Sequence, residues 1–120
     1  MYKENILKTK SKDFAVRTIN LYKYLTSEKN EYILSKQILR CGTSIGANVA
    51  ESECAISKKD FLSKIYISLK ECNETLYWLE LLVKTKYIND FEFESLSNDC
   101  IELRRILTAI TKTANSTNSK

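Results

Sequence analysis

Hydrophobic residues recur along this chain at alternating three- and four-residue steps, the spacing that puts them on one face of an α-helix. Four such runs are legible. The first covers residues 13–28, where Phe14, Ile19, Leu21, Tyr22 and Leu25 form a wide apolar stripe. After a break at 27–30, the second covers 31–55 and repeats Leu34, Ile38, Cys41, Ile45, Val49 and Ser52 on one face. The third extends to residue 86 with a heptad-like seam of Leu62, Ile65, Leu69, Cys72, Leu76, Leu79 and Val83. The last shows Phe93, Leu96, Cys100, Leu103, Leu107 and Ile110. Two helix starts are marked in the sequence. Ser57 with Asp60 makes a capping box, in which the serine accepts from the third backbone N–H and the carboxylate reaches back, and Asn89 with Glu92 repeats the pattern. Short breaks make sequence neighbours antiparallel, so the economical fold is an all-α, up-down-up-down four-helix bundle. The expected division is a basic N-terminal segment at 1–12, the bundle at 13–112 and a polar, frayed tail at 113–120.

Composition sharpens this reading. The 120 residues include two glycines and no proline, too few for the turns of a sandwich or barrel. Histidine is absent, which removes Ser-His and Cys-His nucleophiles, a histidine base and histidine-ligated metals. The four cysteines (Cys41, Cys54, Cys72 and Cys100) contain no C-x-x-C pair, and three fall on apolar seams, so they read as small core hydrophobes rather than ligands. Neither a catalytic residue, a metal nor a cofactor is expected. The first residues carry lysines without an apolar core or a cleavage site, which predicts a cytoplasmic protein with reduced thiols and no membrane partner. The net charge of +4 lies wholly in the first half, where eleven basic side chains face seven acidic ones, against eight and eight in the second.

One stretch departs from an ordinary amphipathic helix. Residues 40–52 read Arg-Cys-Gly-Thr-Ser-Ile-Gly-Ala-Asn-Val-Ala-Glu-Ser and hold both glycines, four apart. Each costs about 1 kcal/mol relative to alanine inside a helix, so the spacing has to be repaid by a close approach of another backbone. Gly42, Gly46 and Ala50 share one face, with Thr43, Ser44, Asn48 and Ser52 beside it. Tight packing with a register-fixing polar group is one reading. A ligand pocket built on small residues and Asn48 is the other. A phosphate loop is excluded, because the Lys-Ser/Thr that follows its last glycine is missing.

With these residues in view the chain resembles a bacterial four-helix-bundle family, that of proteins encoded in intervening sequences of 23S ribosomal RNA genes. It is also similar to the accessory variability determinant of diversity-generating retroelements. The likeness is carried by "DFAVRTINLYKYL", "SKQILRCGTSIGANVAES", "SKKDFLSKIYISLKECNETLYWLELL" and "FESLSNDCIELRRILTAI". Arg40, the run Thr43–Asn48 and Glu51 match the family pattern. Ser52 stands where many members have Gly or Ala, and Leu76 where Glu is common. The resemblance implies the same bundle assembled as a ring, commonly a homopentamer. For the retroelement members it implies a basic surface for RNA and for a reverse transcriptase.

Two functional expectations follow, neither enzymatic. In the first, the chain is an RNA-binding assembly protein whose phosphate contacts come from Arg17, Lys23, Lys36, Arg40, Lys58, Lys59 and Lys64, with the two arginines favoured for their bidentate geometry. In the second, it is an adaptor for a partner encoded nearby, such as a reverse transcriptase, without nucleic-acid affinity of its own. Self-assembly is expected in either case. Trp78 and Leu82 flank one side of the third seam and Tyr66 and Tyr77 the other, an excess of apolar surface over what one bundle needs. The strip of Gly42, Gly46 and Ala50 is a second face available to another subunit.

Overall fold

The structure is a computed structural model and describes residues 2–118, with side chains placed over 5–116. Four helices follow one another: α1 (Tyr2–Ser27), α2 (Leu34–Ser52), α3 (Lys58–Lys84) and α4 (Asp90–Asn118), with no strand among the described residues. They form a rod of 52 × 23 × 20 Å. Each helix packs on its neighbours in sequence, and α4 closes the square against α1 through the thinnest of the four contacts. Among the described residues, no helix is long and apolar enough to cross a membrane.

The seams follow the 3-4 alternation more regularly than the sequence suggested. On α1 the buried line is Leu7, Ser11, Phe14, Thr18, Leu21 and Leu25. It begins before residue 13, so α1 runs through the segment expected to stand apart as a basic arm. The polar Ser11 and Thr18 had concealed this continuity, whereas Ile19, expected in the stripe, is exposed. On α3 the buried line is Ile65, Ser68, Cys72, Thr75, Leu79 and Leu82, rotated toward α2 from the expected seam. Leu62, Leu69, Leu76 and Val83 are only half-buried. Small hydroxyl residues occupy core positions here because each satisfies itself on a backbone carbonyl. Thr18 donates to Phe14 at 2.9 Å and Thr75 to Glu71 at 2.7 Å, while Ser68 crosses to Ile45 of α2 at 2.8 Å. Their small volume lets the helix axes come together.

At the two glycines α1 comes close to α2. A Cβ on Gly42 would stand 2.6 Å from Cγ2 of Thr18, and one on Gly46 would stand 3.1 Å from the carbonyl oxygen of Ser11. At Gly42 and Gly46 the strip is therefore occupied within the subunit, which corrects the expectation that the glycines face another copy, while Ala50 is exposed. The packing reading of the glycines is the one realised.

Helix ends are defined by local chemistry. Ser57 accepts from the Asp60 N–H at 3.0 Å, and Asp60 reaches back to the N–H of Ile56, one residue beyond a standard box. Asn89 and Glu92 cap reciprocally at 2.8 and 3.0 Å. At the end of α3 the N–H groups of Lys86 and Tyr87 return to Val83 and Leu82, with Lys86 at φ 68 where glycine is usual. The second helix starts at Leu34, not at residue 31, because Glu31 serves as its cap. Its carboxylate accepts from the N–H groups of Ile33, Leu34 and Ser35 at 3.1, 2.9 and 2.7 Å. The fourth helix continues past residue 112 through Asn118, so most of the expected tail is helical; residues 119 and 120 lie outside the described residues.

The glycine contact can be tested by substitution. Gly42→Ala gains about 1 kcal/mol of helix propensity but incurs about 1–3 kcal/mol of overpacking against Thr18, so urea melts should show a net loss of stability. In a Thr18→Ala background only the 3.1 Å approach to the residue 18 Cβ remains, and the loss should shrink. Equal losses in both backgrounds would contradict the packing account. Glu31, which is 8% exposed, gives a pH-dependent test. Burial pushes its carboxyl up, but the hydrogen bonds from Leu34, Ser35 and Ile33 outweigh it and hold the pKa below the ordinary 4.5. The stability it contributes is present above that value and is lost as pH falls through the lowered one. Glu31→Ala should cost about 2 kcal/mol at neutral pH, with the gap to wild type closing under acid.

Candidate nucleic-acid and assembly interfaces

The basic residues singled out by sequence do not form one patch. Arg40, on α2, turns to α3, where its guanidinium pairs with Glu74 and lies 3.7 Å from Glu71. Glu74 also accepts from the indole N–H of Trp78 at 3.0 Å. That bond, together with Arg40, holds the Glu74 carboxyl below its usual range despite some desolvation. Glu71, more desolvated and beside the Glu74 charge, is pushed up. Arg17, on α1, crosses to α4 and donates to Asp99 at 2.7 Å and to the Ser95 hydroxyl at 3.0 Å. Lys10 joins Glu102 across the same seam at 3.3 Å. Both arginines are therefore clamps between helices, and neither presents an unengaged fork to a phosphate.

The lysines are dispersed. Lys64 lies 4.0 Å from Glu51 of α2. Lys23 and Lys36 are exposed near the end of the rod that holds the α1–α2 loop, whereas Lys58 and Lys59 open α3 at the opposite end. The family motif is likewise spent on packing. Thr43 donates to the Leu39 carbonyl at 2.7 Å and Asn48 to that of Ser44 at 2.9 Å, each within α2. The hollow beside Gly46, lined by Ser11, Ala15, Thr43, Ala47 and Ala50, is about 160 Å³. A larger one of about 380 Å³ lies where the α3–α4 loop meets the end of α1; there Lys29 and Lys86 are matched by Asp90 and Glu92.

The outer surface of α3 is divided into two edges. Ile67, Glu71, Glu74 and Trp78 recur at four- and three-residue steps on the edge toward α2. On the edge toward α4, the Tyr66 hydroxyl accepts from Asn115 at 3.1 Å and Asn73 accepts from Arg104 at 3.0 Å. Tyr66 is 45% exposed and Tyr77 54%, and the Tyr77 ring meets Trp78 edge-on at 5.1 Å. Trp78 is half-buried against the core. Leu82, expected on the outside, is fully buried, because the α3 seam is rotated toward it. Three basic residues of this surface, Lys70, Lys84 and Arg104, are not among those singled out from sequence. Their signal lies in the outward positions of α3 and α4, in the half of the chain whose charges sum to zero.

Residues 3–109 match the family described as 23S rRNA-intervening sequence protein. The chain belongs to that family. A solved structure of a protein of unknown function from the S23 ribosomal protein family, from Bacteroides thetaiotaomicron VPI-5482, is similar at 55% identity and a TM-score of 0.91. The alignment covers 92% of this chain and 98% of that one. No curated protein matches. This family member has the four-helix architecture that its sequence predicts.

Its cysteines divide as their seams suggested. Cys41, Cys72 and Cys100 are buried and Cys54, past the end of α2, is exposed. Burial pushes the Cys41 thiol up to about 11. Cys100, whose Sγ lies 3.5 Å from the Cys72 carbonyl, is pushed up by the neighbouring thiol and by burial. Thiols held protonated and buried react slowly. Iodoacetamide should therefore modify Cys54 first, and the other three only in denaturant. Rapid labelling of all four in native buffer would contradict the packing described.

Proposed function

We propose that this protein is a non-enzymatic, cytoplasmic binding component: a helical bundle that assembles into a ring of identical subunits and carries RNA on its surface. The observation that carries the reading is the outer face of α3, where exposed aromatic rings stand among basic side chains in a chain of net charge +4. A monomeric bundle has no need of such a face. A ring of five, as the family resemblance implies, would repeat a weak phosphate-binding surface and raise its avidity. The edge of α3 toward α2 suits the subunit contact. Ile67 is 37% exposed there and Trp78 is half-buried, next to the register-setting bond from Ser68 to Ile45 of α2. A contact of this face with a different face of the next copy is head-to-tail, the kind that rotation closes into a ring.

A second reading, an adaptor for a locus-encoded protein such as a reverse transcriptase without RNA affinity, is favoured by one feature. Arg17 and Arg40 are both engaged by carboxylates within the subunit. Two measurements on the purified full-length protein separate the readings. Light scattering at micromolar concentration should give a multiple of the 13.9 kDa chain mass, and Ile67→Glu should reduce it to one subunit with helicity unchanged by circular dichroism. Bulk RNA should be retained at low salt and released as salt rises. A monomeric wild type would overturn the ring, and absence of RNA retention at low salt would favour the adaptor.

A further inference from the structure

The edge of α3 toward α4 has an order that assembly does not explain. Lys59, Tyr66, Lys70, Tyr77 and Lys84 succeed one another at steps of seven, four, seven and seven residues, which places them close to one line along the helix. All five are exposed. At 1.5 Å per residue the line is about 38 Å long. Asn73 borders it and is joined by Arg104 from α4, which adds a further positive charge beside it. No carboxylate stands on the line itself. Glu80 lies to one side of it, and Glu71 and Glu74 are turned to the opposite edge by Arg40.

This alternation of cation and ring is poorly suited to a subunit contact. Lysine is depleted from interface cores, because its strongly hydrated ammonium must be stripped of water there. It suits a flexible polyanion with planar groups. Spaced lysines neutralise phosphates, and exposed phenol rings offer faces on which unpaired bases stack. A duplex keeps its bases stacked internally and gains only the charge term. The Tyr66 hydroxyl bond to Asn115 ties one ring to the edge of α4, and the contact of Tyr77 with Trp78 steadies the other.

We infer that the line Lys59–Tyr66–Lys70–Tyr77–Lys84 on α3, with Arg104 beside it, is a track for single-stranded RNA, in which the lysines take phosphates and the two tyrosines stack bases. This rests on the RNA-binding reading above and says where and in what form the RNA is held. Of the basic residues picked from sequence it keeps only Lys59, and it places the site on one helix face where charge and aromatic rings coincide.

The test is fluorescence anisotropy of full-length protein with labelled oligouridine and with a labelled RNA duplex of equal length, across a salt series. The wild type should prefer the single strand. Tyr66→Leu with Tyr77→Leu should weaken oligouridine binding by about tenfold or more with the salt slope unchanged, since stacking is not a charge term. Lys59→Gln with Lys70→Gln and Lys84→Gln should lower that slope by about two, since each phosphate left without its cation removes about 0.7. All five side chains are exposed, and circular dichroism should show unchanged helicity. RNA binding that ignores both sets of substitutions would overturn the track while leaving RNA binding intact. Equal affinity for duplex and single strand would overturn the stacking role. A wild type that binds neither probe removes the RNA reading itself. Dissociation of the oligomer by the tyrosine substitutions, without effect on RNA affinity, would assign this edge to subunit contact instead.

Discussion

The structure depends on how closely α1 can approach α2. Gly42 lies against the Thr18 side chain and Gly46 against the Ser11 carbonyl, at distances that leave little room for a side chain on α2. Two glycines inside a helix weaken it by about 2 kcal/mol in propensity, so the sequence tolerates them only where contact offsets the loss. That contact sets the register of α1 on α2. The Ser68 hydroxyl bond to Ile45 does the same for α3 on α2, so α2 is the element against which its two neighbours are aligned. The fourth helix closes the square on a thinner seam, and there the contact is supplemented by charge: Arg17 to Asp99 and Lys10 to Glu102.

The electrostatics of the molecule follow from this geometry. Where helices approach through small residues there is little room for long side chains, and the seams are sealed by hydroxyls bonded to backbone carbonyls. Arginines bridge the helices outside these seams, Arg17 from α1 to α4 and Arg40 from α2 to α3. Partly exposed ion pairs of this kind contribute little individually, but they fix the direction in which a guanidinium points. Arg17 and Arg40 are thereby directed along the surface toward neighbouring helices, and the outward positive charge is carried mainly by lysines, with Arg104 and Arg105 on α4. The bundle meets its surroundings through ammonium groups and tyrosine rings, a combination suited to contacts read by charge and stacking more than by bidentate pairing.

Membership of the 23S rRNA-intervening sequence protein family, with a solved relative at 55% identity, fixes the architecture and leaves biochemical role to the surface. Among the described residues there is no cluster of side chains that could hold a metal ion. The motif of residues 40–52, the most distinctive feature of the sequence, is consumed by packing, and the Thr43 and Asn48 side chains are satisfied within α2. Variation in function between members would have to reside in outward positions, of which the two edges of α3 are the best defined in this chain.

By itself the sequence determined the number and kind of elements, the capping at Ser57 and Asn89 and the burial of three cysteines, because each depends on spacing within a single helix. The use of the glycines for packing was also legible, since an intrahelical glycine pair needs a close neighbour. Which neighbour it has was not. That α1 fills the strip, that the α3 seam is rotated to bury Leu82, and that Glu31 caps α2 from within the loop are decided by how faces meet across helices. The same holds for the basic residues. Sequence ranks Arg17 and Arg40 highest on chemistry, and tertiary structure gives both to carboxylates on neighbouring helices, since a charge count carries no information about which partner lies within reach.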